Sequence, residues 1–158
     1  MRFITPALAV LVMILTAFPA NAQTYNSKWR IMFSPAGDIA AGQCNEPVAS
    51  TNTPYYFACI ALICRVGEIH YAEWVNGLKA FGVKRLMMGV DDGEIMRWEA
   101  TTTIHGDFDM YTSTAPISSD EILQFATGSQ MQRLLANRSY KLINSGTTIT
   151  GLQFMCGK

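Results

Sequence analysis

Tyr55-Tyr56-Phe57-Ala58-Cys59-Ile60-Ala61-Leu62-Ile63-Cys64-Arg65 is a nearly continuous apolar run. Val66-Gly67 interrupts it, and Glu68-Ile69-His70-Tyr71-Ala72-Glu73-Trp74 then alternates. A period of two puts Glu68, His70, Ala72 and Trp74 on one strand face and Ile69, Tyr71 and Glu73 on the other. The two segments read as a strand pair joined by a turn at Val66-Gly67.

The same signals recur on both sides of this pair. Residues 28–34 alternate polar and large apolar side chains and end at Pro35-Ala36-Gly37-Asp38, which has turn chemistry. Residues 45–54, rich in Asn, Pro, Ser and Thr, read as a loop. Val83 to Val90 is a further strand, followed by Asp91-Asp92-Gly93, a hairpin signal when apolar runs flank it. Glu94 to Thr103 is its return strand, Gly106-Asp107 the next turn, and Phe108 to Ser113 another strand. Ser118 and Glu121 have capping-box spacing, with Ile117 and Ile122 placed as a hydrophobic staple. They predict a helix from Ser119 towards Ala126, with Gly128 opposing an extension to Ala136. Ser139 to Ile143 and Thr147 to Met155 flank Asn144-Ser145-Gly146 and read as a closing hairpin, being rich in Thr, Ile and Tyr. The expected fold is mainly β: an antiparallel sandwich or partly open barrel, with one short helix near the C-terminus. Trp29, Trp74 and Trp98 are expected in the core or on a sheet face.

Arg2, the uncharged run from Pro6 to Phe18 and the small residues of Pro19-Ala20-Asn21-Ala22 form a secretory signal peptide. Cleavage is expected after Ala22, leaving one β-rich domain over residues 23–158 that works in the periplasm or outside the cell. Twelve Lys+Arg balance 12 Asp+Glu without clustering, so neither nucleic acid nor an anionic membrane is an expected partner. In an exported chain, four cysteines make two disulfides the default. Three pairings are possible, and the favoured set is Cys44–Cys59 with Cys64–Cys156. Zinc is disfavoured, because the closest pair is C-x₄-C and no His accompanies it.

Candidate sites are few. Asp91, Asp92 and Glu94 have the oxygen donors of a divalent cation site, but the turn reading is preferred. His105, Asp107 and Asp109 offer the ligands of a metal-assisted hydrolase, though one His with two loosely spaced carboxylates also describes a strand-end turn. Glu68 and His70 share a strand face and have the makings of a proton-transfer pair; an exposed polar sheet face is the plainer account. Tyr55, Tyr56 and Phe57 alternate faces, which makes them candidates for a binding surface. The many methionines, Met87, Met88, Met96, Met110, Met131 and Met155 among them, suit either a core or an adaptable surface. No nucleophile elbow, P-loop or dinucleotide fingerprint is present, so no catalytic residue and no cofactor is assigned.

Ala61 to Ile69 resembles the apolar-Cys-Arg strand of small exported bacterial β-sandwich proteins. Leu86 to Glu94 with downstream Trp98 is similar to their strand-turn-strand, and Thr150-Gly151-Leu152 leading to Cys156 to their final strand. Accessory proteins of type VI secretion and the invasion-associated locus B group carry this layout. The resemblance implies a periplasmic, non-enzymatic accessory domain with Cys64 bonded to Cys156. The expected function is therefore a non-catalytic module that binds another envelope or secretion-associated protein. An inhibitor of an envelope or host hydrolase, presenting residues 45–54, is the alternative, and the metal-assisted hydrolase a second.

Overall fold

The computed structural model describes residues 23–25, 27–44, 57–76, 85–133 and 138–157. The expected signal peptide lies outside them, as do residues 45–54. The strands are β1 (Gln23–Tyr25), β2 (Arg30–Phe33), β3 (Ile39–Cys44), β4 (Phe57–Arg65) and β5 (Glu68–Asn76), followed by β6 (Arg85–Val90), β7 (Met96–His105) and β8 (Phe108–Ser113). Helix α1 (Ser119–Thr127), β9 (Gln130–Arg133), β10 (Arg138–Lys141) and helix α2 (Ser145–Met155) complete the order. All ten strands belong to one sheet, in the order β1-β10-β9-β6-β7-β8-β5-β4-β3-β2. Nine form a curled antiparallel half-barrel, and β1 lies parallel to β10 at its edge.

The quoted pair forms the centre of one half. β4 and β5 pair from Arg65↔Glu68 to Phe57↔Asn76, leaving Val66 and Gly67 as a two-residue turn. Both have positive φ, 53° and 75°, as a type I′ hairpin requires. The sheet curls through β7, whose first half pairs with β6 and whose second half, from Ala100, pairs with β8. The concave face collects Ile60, Leu62, Ile69, Tyr71, Met88, Trp98 and Met131 into the main core, which both helices cap. The convex face carries a smaller cluster, including Ala40, Cys59, Ala61, Ile63, Ala72, Trp74 and Met110. All three tryptophans are buried.

Helix α1 begins as its residues dictate. Ser118 Oγ accepts from the Glu121 amide at 3.2 Å, and the Glu121 carboxylate accepts from the Ser118 amide at 2.7 Å. It ends at Gly128, where a Cβ would run into the Val90 side chain. A close approach thus excludes any larger residue, and the chain turns into β9 instead of continuing to Ala136.

The second helix corrects the expected closing hairpin. Residues 139–141 lie in β10, but 145–155 form α2 rather than a return strand. The β-branched content argued for a strand, yet the buried positions are Ser145, Thr148, Ile149 and Leu152, a helical repeat. Thr148 and Thr150 donate their hydroxyls to the carbonyls of Asn144 and Gly146, four residues back. Such bonds let threonine sit in a helix. Asn144 supplies the entry, with φ at 64°.

Both favoured disulfides are present, Cys44–Cys59 between paired strands and Cys64–Cys156 from β4 to the end of α2. They are consistent with an oxidising compartment outside the cytoplasm. The second closes a separation of 92 residues. Replacing Cys64 and Cys156 together by serine is expected to lower unfolding stability by about 3–5 kcal/mol, read by chemical denaturation.

Candidate functional site

Two regions stand out once the sheet is curled: a charged cluster on the concave face and an apolar seam where α2 runs beside β2. Alternation along β5 puts Tyr71 and Glu73 on the concave face. The Glu73 carboxylate, 2% exposed, accepts from the Tyr71 hydroxyl at 2.9 Å and pairs with Arg133 Nε at 2.9 Å. Arg133 belongs to β9, and β6, β7 and β8 separate it from β5 in the sheet. The pair therefore spans the curl rather than joining neighbouring strands. Burial, followed by the Glu73 charge, holds the Tyr71 phenol well above its ordinary range. Burial and the nearby Asp109 charge raise Tyr111 likewise. Both phenols stay protonated at neutral pH, and Tyr71 donates a hydrogen bond to Glu73.

The Asp91-Asp92-Gly93 step makes a turn, but not a tight hairpin. The β6–β7 pairing ends at Met88↔Met96, which leaves residues 89–95 as the connection, while Gly89 and Val90 continue the pairing of β6 with β9 on its other edge. The Asp91 carboxylate accepts from the Ser129 hydroxyl at 2.7 Å and from the Gln130 amide at 2.9 Å, fastening the end of α1 to the turn. The Ser129 bonds, from its hydroxyl first, hold Asp91 below the usual carboxylate range. Beside it lies a recess of about 400 Å³ lined by Asp92, Gln130 and Gln132 among others. Asp91 is thus engaged in a structural clasp.

The His105 set does not converge. His105 pairs with Phe108 and Ile104 with Asp109, so His105 and Asp109 occupy opposite faces of the hairpin, with Asp107 at its tip. His105 Nε2 lies 3.1 Å from Thr103 Oγ1. Among the described residues, no group of three or more His, Cys, Asp or Glu is placed to hold a metal ion. The hydrolase alternative therefore has no shared coordination point in this hairpin. Glu68 and His70 do not form a proton-transfer pair either: Glu68 is exposed beside the turn, while His70 is buried with Nδ1 3.0 Å from the Ser113 carbonyl. Nor is His70 part of an exposed polar face. Met88, Met96, Met110 and Met131 fill the two cores, and Met155 is exposed. Phe57 opens β4; Tyr55 and Tyr56 lie outside the described residues.

The seam was not legible in advance. Ile31 and Phe33 sit on the concave side of β2, since they pair with Ala41 and Ile39, yet both are exposed. On α2, Phe154 lies opposite the buried row and is 84% exposed, and Met155 on its flank is exposed too. Alternation in 28–34 showed a strand but not that it would end the sheet.

Removing Arg133 leaves Glu73 buried and uncompensated, so Arg133→Met is expected to cost about 3–5 kcal/mol in urea unfolding. Glu73→Gln added to it should recover most of that loss, because glutamine still accepts from Tyr71. Asp91→Asn is expected to destabilise at pH 7. Because the folded pKa of Asp91 is depressed, its contribution is present above the unfolded value of about 3.9 and is lost as pH falls through the folded one. The stability gap between wild type and Asp91→Asn should therefore close below about pH 4, read by denaturation at a series of pH values.

No family model, curated protein or solved structure matches this chain.

Proposed function

We propose that this chain is an exported accessory module that acts by binding another protein of the cell envelope or a secretion system, in the periplasm or outside the cell. The observation that carries this reading is the exposure of four large apolar side chains on two adjoining elements: Ile31 and Phe33 on β2, Phe154 and Met155 on α2. Grouped exposed apolar side chains mark candidate interaction sites. Val66 supports it. A valine at φ 53° is strained, and this one stands 96% exposed at the β4–β5 tip, two residues from the disulfide that anchors α2. The N-terminal leader and the two disulfides support export. The resemblance to type VI secretion accessory proteins and the invasion-associated locus B group supports an accessory role rather than catalysis.

The test is affinity capture from a native envelope fraction, using protein expressed from the full chain and shown to be folded and oxidised. Partners are identified by mass spectrometry. A reproducible partner is expected, and Phe33→Ser with Phe154→Ser should reduce its capture by about tenfold or more, as loss of two central apolar anchors does. Equal capture by the double variant, or no partner for the wild type, would overturn the reading.

A further inference from the structure

The seam has a hydrogen-bonding edge as well as an apolar face. The Ser34 amide donates to the Asp38 carbonyl at 2.9 Å, which sets the phase of the β2–β3 ladder. Arg30 and Met32 therefore bond into β3, while Trp29, Ile31 and Phe33 point their amides and carbonyls away from it. The chain itself occupies the first outward position: the Trp29 amide donates to the Ile143 carbonyl at 2.9 Å, and the Trp29 carbonyl accepts from Thr148 Oγ1 at 3.3 Å. Among the described residues, Ile31 and Phe33 have no partner on that side, and β2 ends the sheet.

Charge completes the description. Lys28 and Arg30 lie on the convex side of this edge, exposed, and line a recess of about 210 Å³ with Ser27. Neither forms an ion pair among the described residues. Residues 28–34 hold no carboxylate, so a second copy adding through the same edge would leave both cations uncompensated. An acidic strand would instead find compensation.

We propose that the open edge of β2 receives an extended segment of the partner protein as an added strand, with alternating apolar and acidic side chains. Its apolar residues lie against Ile31 and Phe33; its carboxylates face Arg30, with the Lys28 charge just beyond the point where Ile143 takes over the ladder. The added strand continues the ladder that Ile143 begins. Main-chain bonds supply affinity and the alternating side chains supply selectivity, as in other strand additions. This assignment rests on the interaction reading and names the chemistry of its partner.

The probes are three end-blocked heptapeptides: alternating Val and Glu, alternating Val and Lys, and the Val-Glu peptide with a central Pro. Titration into the isotopically labelled protein is followed in amide NMR spectra. The Val-Glu peptide is expected to shift and protect the Ile31 and Phe33 amides, to bind about tenfold or more tightly than the Val-Lys peptide, and to weaken with salt. The Pro peptide should fail. Arg30→Glu should reverse the charge preference. Phe33→Pro, which deletes one outward donor at an edge where proline is tolerated, should abolish binding with the spectrum otherwise folded. Equal binding of the acidic and basic peptides, shifts mapping elsewhere, or no binding by any peptide would overturn the assignment. Capture of the same envelope partner by wild type, Arg30→Glu and Phe33→Pro alike would overturn the edge and leave the interaction reading standing. Capture by none would overturn the interaction reading, while the peptides would still decide the edge.

Discussion

The aromatic layer on the concave face holds the other parts in register. Tyr71 stacks on Trp98 with ring centroids 4.8 Å apart, and Phe125 lies 5.8 Å from Tyr71 and 6.2 Å from Trp29. Four rings thus join β5, β7, α1 and the approach to β2. Such pairs add about 0.5–1.5 kcal/mol each beyond the area they bury. Because the rings are large and flat, the sheet must bend around them, and both helices cap the concave side of that bend. The Trp98 indole also donates to the Glu121 carboxylate at 3.0 Å, so the residue that closes the α1 cap is tied to the layer beneath it.

Closure of the curl follows from this. Hydrogen bonds among the described residues cross the gap between β3 and β10. Gln43 Nε2 donates to the Lys141 carbonyl at 2.8 Å, and Trp29 reaches Ile143. The Glu73–Arg133 pair makes a comparable crossing from β5 to β9. A buried ion pair is weak evidence for added stability, but it is selective: only one curvature brings a carboxylate of β5 to a guanidinium of β9. We read it as a device that sets curvature.

Much of the fold was legible because short-range chemistry controls it. The Val66-Gly67 and Gly106-Asp107 turns, strand β8 and the Ser118–Glu121 box depend on neighbours a few residues apart. Of the three possible disulfide pairings, the favoured set is the one formed. What escaped depends on distant partners. Thr147 to Met155 has strand-like composition, and the core contacts made by Ile149 and Leu152 turn it into a helix. The Asp-Gly step marked the β6–β7 connection, but nothing local announced that β6 would pair with β9 on its other edge. The Glu73–Arg133 pair joins residues from separate strands, and no spacing rule links them. The candidate site was less legible still. An open edge is a property of the finished sheet: Ile31 and Phe33 look like core residues until the strand order leaves them outermost.

The disulfide order has a consequence for how the protein is made. Along the chain, the first cysteine pairs with the second and the third with the fourth. A chain threaded into an oxidising compartment from its N-terminus presents Cys44 and Cys59 before Cys64 emerges. Oxidation in order of arrival therefore yields the native connectivity, with no shuffling step by an isomerase. Cys64 then waits until almost the whole chain has crossed before Cys156 reaches it. That last bond clamps α2 onto β4, so the α2–β2 side of the fold is fastened last, when the C-terminal cysteine becomes available. A chain that ends before Cys156 would keep Cys64 as a free thiol.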